Sequence, residues 1–111
     1  MNEDSLLIKR RLTLLSVQRA LLGEVSFALR GVVVDYEEAK KIIIRCYFDG
    51  EISEEDKESM SEVQTSVMAD FDLDIDIELE IERLDSPKRP QLSNNWTWVY
   101  FRRESAPKGE I

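Results

Sequence analysis

Apolar and polar positions divide the chain into two helical and four extended segments. From Asp4 or Ser5 to Leu22, apolar residues recur at helical spacing. Ile8, Leu12, Leu15 and Leu22 form one line, and Leu14, Val17 and Leu21 an adjacent one. The apolar arc is wide, which predicts a helix well packed against a sheet, and Gly23 is a natural terminator. Phe27 to Tyr36 is rich in β-branched residues and reads as a strand. Residues 35–40 form a polar connection of hairpin length, and Lys41 to Phe48 is its partner strand. Ile42, Ile44, Cys46 and Phe48 share one side of that strand; Lys41, Ile43, Arg45 and Tyr47 share the other.

Ser53 has the chemistry of a helix N-cap, followed by Glu54, Glu55 and Asp56, carboxylates favoured in a first turn. Met60, Val63, Val67 and Phe71 then make a core-facing stripe. The clearest pattern comes next. Leu73, Ile75, Ile77, Leu79 and Ile81 alternate with Asp72, Asp74, Asp76, Glu78, Glu80 and Glu82, predicting a strand with one buried and one wet face. A loop with Pro87 and Pro90 leads to a last strand, Trp96 to Arg103. Strict alternation there sets Trp96, Trp98, Tyr100 and Arg102 on one side and Thr97, Val99 and Phe101 on the other. The order αββαββ predicts an α+β two-layer sandwich, with two helices on one face of a four-stranded, mostly antiparallel sheet. The other face is left to solvent or to a partner. Residues 1–104 form this single domain; 105–111, with Pro107 and Gly109, read as a frayed tail.

Charge narrows the function. The 111 residues carry 15 Lys and Arg against 23 Asp and Glu, a net charge of −8. That balance argues against nucleic-acid or anionic-membrane binding and for a basic partner. The absence of histidine removes Ser-His-Asp and Cys-His catalysis and histidine metal sites. The lone Cys46 excludes an internal disulfide and reads as a buried, inert thiol. These features suggest a cytoplasmic, cofactor-free protein without enzymatic activity. Arg19 breaks the longest apolar stretch, so neither a signal peptide nor a membrane span is expected.

The acid is segregated. Residues 48–86 hold fifteen acids and two bases, whereas the segments before and after them are net positive. Same-face carboxylates on the acidic strand lie ~6.8 Å apart and repel by roughly 0.6 kcal/mol per pair in water. Arg30, Lys41, Arg45 and Arg102 are candidates to neutralise the row from neighbouring strands. The unneutralised alternative is a docking surface for a basic protein. Its candidate residues are Asp72, Asp74, Asp76, Glu78 and Glu80, with Trp98, Tyr100 and Arg102. A second candidate surface is the acidic helix start, Glu54, Glu55 and Glu58. Asp72 to Asp76 superficially resembles a calcium loop but lacks its central glycine, so no metal is expected.

Several runs carry a family likeness. They are Ala20-Leu21-Leu22-Gly23-Glu24-Val25, Leu29-Arg30-Gly31-Val32, Tyr47 to Asp56, Ile81-Glu82-Arg83-Leu84-Asp85 and Trp98 to Glu104. Together they resemble small bacterial immunity proteins of contact-dependent growth inhibition systems, over roughly residues 15–104. The resemblance implies a cytoplasmic protein that binds and neutralises a cognate toxin domain, often a nuclease; the acidic segment 48–86 in turn predicts that it does so by occluding the toxin's basic active region. The free protein is expected to be a monomer or weak dimer. The alternatives are a general acidic interaction module, a dimerising subunit without a toxin, and a small enzyme using carboxylates alone.

Overall fold

Six elements follow one another in the expected order. They are α1 (Glu3–Ala20), β1 (Leu29–Glu38), β2 (Lys41–Phe48), α2 (Glu54–Met68), β3 (Asp76–Arg83) and β4 (Trp96–Phe101). The computed structural model describes residues 3–38 and 40–104, so the proposed tail at 105–111 lies outside the described residues. The four strands form one sheet in the order β3-β2-β1-β4. β1 pairs antiparallel with β2 and with β4, while β2 and β3 run parallel. The parallel pair follows from the connection: α2 lies between β2 and β3 and supplies the crossover that parallel strands need.

Both helices cover the same sheet face. Val32, Val34, Ile42, Ile44, Cys46, Phe48 and Ile77 meet Val17 and Leu21 of the first helical segment and Met60, Val63 and Val67 of α2. Ser53 caps α2 as expected, its Oγ accepting from the Asp56 N–H at 3.0 Å. Gly23 ends the turn after α1 with φ +81°, a conformation that favours glycine.

Four expectations need correction. First, α1 buries Thr13, Ser16 and Val17, and the turn after it buries Leu21, but Ile8, Leu12 and Leu15 of α1 and Leu22 of the turn lie exposed. Only one side of the wide arc meets neighbours. The buried hydroxyls are tolerated because each has a partner: Thr13 Oγ1 donates to the Lys9 carbonyl (2.8 Å) and Ser16 Oγ to Asp70 Oδ2 (2.6 Å). Second, β1 starts at Leu29, leaving Phe27 fully exposed, and continues through Glu38, so the hairpin connection is much shorter than six residues. Third, β3 starts at Asp76 rather than Asp72. Its pairing runs from Lys41↔Asp76 to Phe48↔Arg83, using the whole of β2, so residues 72–75 have no strand to join. They turn instead, with the Ile75 N–H donating to the Asp72 carbonyl (3.0 Å), and Leu73 is fully exposed rather than buried.

Fourth, β4 is not a strict alternation. Val33 pairs with Trp98 but Val32 pairs with Tyr100, so a bulge skips Val99. The bulge turns Tyr100 to the helix side, where it packs on the core. It brings Phe101 round to Trp98, with ring centroids 4.8 Å apart. The strand also ends at Phe101, short of Arg103.

Candidate interaction surface

The sheet face away from the helices is assembled from alternate positions of four strands. β3 contributes Asp76, Glu78, Glu80 and Glu82, opposite Lys41, Ile43, Arg45 and Tyr47 of β2. β1 contributes Gly31, Val33 and Asp35, and β4 contributes Trp96, Trp98 and Phe101. β3 and β4 are opposite edges of the sheet, so the chain between them must span three strand spacings, ~14 Å. This explains the long loop 84–95. Leu84 and Pro90 of that loop border a small cavity with Gly31, Tyr47, Trp98 and Phe101, so the loop roofs one end of the face.

The acidic row is partly neutralised from β2. Lys41 Nζ lies 3.2 Å from Glu78, and Arg45 Nε lies 2.7 Å from Glu80 and 3.7 Å from Glu82. Arg45 also donates to Tyr47 Oη (3.3 Å) and sits 4.2 Å above the Trp96 ring. Although burial alone would lower its pKa, bonding to Tyr47 and Glu80 raises it, so Arg45 stays charged. Four carboxylates of β3 thus face two cations of β2, leaving this part of the face negative.

Arg30 and Arg102, two of the expected neutralisers, are committed elsewhere. Arg30 is buried beneath the loop. Its guanidinium donates to both oxygens of Glu104 (2.8 and 2.9 Å) and to the Leu84 and Lys88 carbonyls (2.7 Å each). Arg102 donates to Asp49, Glu104 and the Phe27 carbonyl. Hydrogen bonding from Arg30 first, then from Arg102, holds the Glu104 carboxyl at about 2 against an ordinary 4.5.

The sequence-derived residues therefore separate. Asp76, Glu78, Glu80 and Trp98 share one face. Asp72 and Asp74 lie in the turn before β3, Asp74 within 3.5 Å of Lys40. Tyr100 lies on the helix side and Arg102 is a structural anchor. Glu54, Glu55 and Glu58 are exposed on the first turns of α2, well away from β4. Glu54 pairs with Lys57 at 3.2 Å, whereas Glu55 and Glu58 have no ion pair among the described residues. Phe101 was missed because the bulge at Val99 has no glycine or other sequence mark. It belongs to the exposed aromatic group with Trp98, and Arg89 stands 5.0 Å from its ring centroid.

Cys46 is fully buried and burial pushes its thiol up to about 12, so it is no nucleophile at neutral pH. Among the described residues, no group of three or more Cys, Asp and Glu could hold a metal ion. No described helix is long and apolar enough to cross a membrane. The constellation offers a negative row, stacked aromatics and anchored arginines, which are features of recognition.

Comparison with known proteins agrees with that reading. No curated protein matches the chain. A family model described as MafI2 immunity protein matches residues 10–104, which include both hairpin strands, α2, the acidic strand and the aromatic strand. The chain belongs to the MafI2 immunity protein family.

Proposed function

We propose that this protein acts in the cytoplasm by binding a cognate toxin domain and covering its active region, performing no chemistry itself. The toxin is a basic one, in keeping with a nuclease delivered by contact-dependent growth inhibition. The observation that carries the reading is the exposed Trp98–Phe101 pair on the same sheet face as a net-negative strand row, which lies at the opposite edge. Trp98 and Phe101 keep 40% and 43% of their surface in solvent while stacked on each other. Large aromatics held rigidly at a surface supply much of the binding energy in protein interfaces. Glu78, Glu80 and Glu82 retain substantial exposure despite their partners, so they can still steer a cationic toxin. Glu55 and Glu58 extend the negative field around the α2 start.

The test uses the toxin domain encoded beside this protein and measures binding kinetics across a salt series. Trp98→Ala is expected to weaken binding at least ~10-fold, mainly through faster dissociation. Glu78→Lys with Glu80→Lys is expected to slow association and flatten its salt dependence. Full affinity and unchanged association rates in both variants refute this surface. A toxin domain that is not bound at all refutes the function.

A further inference from the structure

The outer edge of β3 carries a row of unpaired main-chain groups. In the parallel ladder with β2, the Asp76 N–H donates to the Lys40 carbonyl (2.7 Å) and the Leu84 N–H to the Phe48 carbonyl (2.8 Å). Between these two bonds the register runs without a break from Lys41↔Asp76 to Phe48↔Arg83. Asp76, Glu78, Glu80 and Glu82 therefore turn their N–H and C=O groups towards β2, while Ile77, Leu79 and Ile81 turn theirs away from it. Gln64 of α2 donates to the Ile77 carbonyl (2.9 Å), so the helix covers the start of this edge. Among the described residues, nothing bonds the outward N–H and C=O of Leu79 or Ile81.

An edge of this kind is ordinarily blunted by proline, lysine, a bulge or a covering segment. β3 contains no proline, glycine or lysine, and its pairing with β2 has no bulge. The opposite edge strand, β4, is bulged at Val99. Leu79 and Ile81 are half-buried, packed on the core on their inner side. The edge thus offers two N–H and two C=O groups with apolar side chains on one flank and Glu78, Glu80 and Glu82, all substantially exposed, on the other. Free main-chain groups in a row are matched only by another extended chain. The carboxylates decide which one. A second copy's β3 would set its own acids at Cβ separations of about 5 Å from this row, like charge against like. A strand with cations at alternate positions is attracted instead.

We infer that the toxin domain adds a strand to the outer edge of β3, pairing with the main chain of Leu79 and Ile81. This rests on the function proposed above and specifies how the partner is held. The added segment alternates Lys or Arg, set beside Glu78, Glu80 and Glu82, with apolar residues set beside Leu79 and Ile81. Main-chain bonds hold the segment and the carboxylate row selects it.

The test combines amide hydrogen exchange with two variants, using the toxin domain encoded beside this protein. In the free protein the Leu79 and Ile81 amides are expected to exchange quickly, and those of Glu80 and Glu82, bonded to β2, slowly. In the complex the Leu79 and Ile81 amides are expected to slow at least ~10-fold. Ile81→Pro deletes one outward N–H and leaves the bonds to β2 in place, a position where an edge strand tolerates proline. Ile81→Ala trims the side chain and keeps the N–H. Toxin affinity is expected to fall at least ~10-fold in Ile81→Pro and less than ~3-fold in Ile81→Ala, with wild-type circular dichroism in both. The exchange measurement uses wild-type chains and decides the question even where Ile81→Pro does not fold. Full affinity in a folded Ile81→Pro, equal losses in the two variants, or edge amides that exchange equally fast with toxin bound overturn the added strand while toxin binding stands. A wild-type protein that does not bind the toxin overturns the proposed function and this inference together. Protection of the same amides that grows with the concentration of the free protein overturns it in favour of a second copy.

Discussion

Replacing Arg30 by Met tests whether the buried guanidinium holds the loop on the sheet. Arg30 is 2% exposed and makes four short hydrogen bonds, two to Glu104 and two to loop carbonyls at Leu84 and Lys88. Met fills a similar volume but donates nothing. Glu104 keeps Arg102 at 2.8 Å, so its carboxylate is not orphaned. The two carbonyls lose a charged donor, and the loss is about 3 kcal/mol. For a domain of this size that is a fall in Tm of about 12–20 °C. The pH dependence separates this cause from simple mispacking. The Glu104 carboxyl is held at about 2 in the folded state and is ordinarily 4.5. Its pKa is depressed, so its contribution is complete above about 4.5 and disappears as pH falls towards about 2. The shift corresponds to about 3 kcal/mol before solvent screening and about 1–2 kcal/mol after it. Urea unfolding of wild type and Arg30→Met, measured from pH 7 down to pH 2, is the assay. The gap between the two should be widest at neutral pH and narrow between pH 4.5 and 2. A gap under about 1 kcal/mol at pH 7, or one independent of pH, refutes the account.

Three further outcomes follow from local geometry. A Cβ on Gly31 would stand 2.5 Å from the Trp98 ring, so Gly31→Ala must displace that ring; it should cost about 1–3 kcal/mol in urea unfolding and shift the tryptophan emission. Cys46 should resist a thiol reagent at pH 8 in the folded protein and react at once in denaturant, since its thiol is buried and shifted to about 12. Ser53→Ala removes the bond to the Asp56 N–H and should cost about 1 kcal/mol in thermal unfolding, with restoration by Asp at the same position.

Period and punctuation carried most of the fold. Alternation placed Ile42, Ile44, Cys46 and Phe48 on the helix side, and the Ser53 cap fixed the start of α2. What alternation could not show is where pairing stops. Residues 72–75 continue the period of β3, yet β2 has eight residues and offers no partner beyond Lys41. Strand length is set by the neighbour, not by the strand's own pattern. The first helix presents the same problem in another form. Two adjacent apolar lines were visible in it, but the choice of which line to bury depends on what packs against it. Here small Thr13 and Ser16 permit close approach, and the larger Ile8, Leu12 and Leu15 are left outside.

The interaction surface was half visible for a related reason. Composition located the acid, and the β2–β3 register paired it with Lys41 and Arg45, both of which were foreseeable as cross-strand partners. Arg30 and Arg102 look identical to Arg45 in sequence, but bulges redirect them. One bulge skips Arg30 between Leu29 and Gly31, and its guanidinium passes under the loop to Glu104. The other, at Val99, exchanges Tyr100 for Phe101 on the exposed face. Both bulges lie where the chain must bring the long β3–β4 loop across the sheet, and Gly31 opens the space that Trp98 fills there. The two irregularities thus serve one geometric need. They clear room for a crossing loop, anchor it on a buried arginine, and in doing so turn an aromatic pair outward on the face whose far edge is the acidic strand. A surface built in this way is rigid before any partner arrives, so little ordering entropy is lost when one binds.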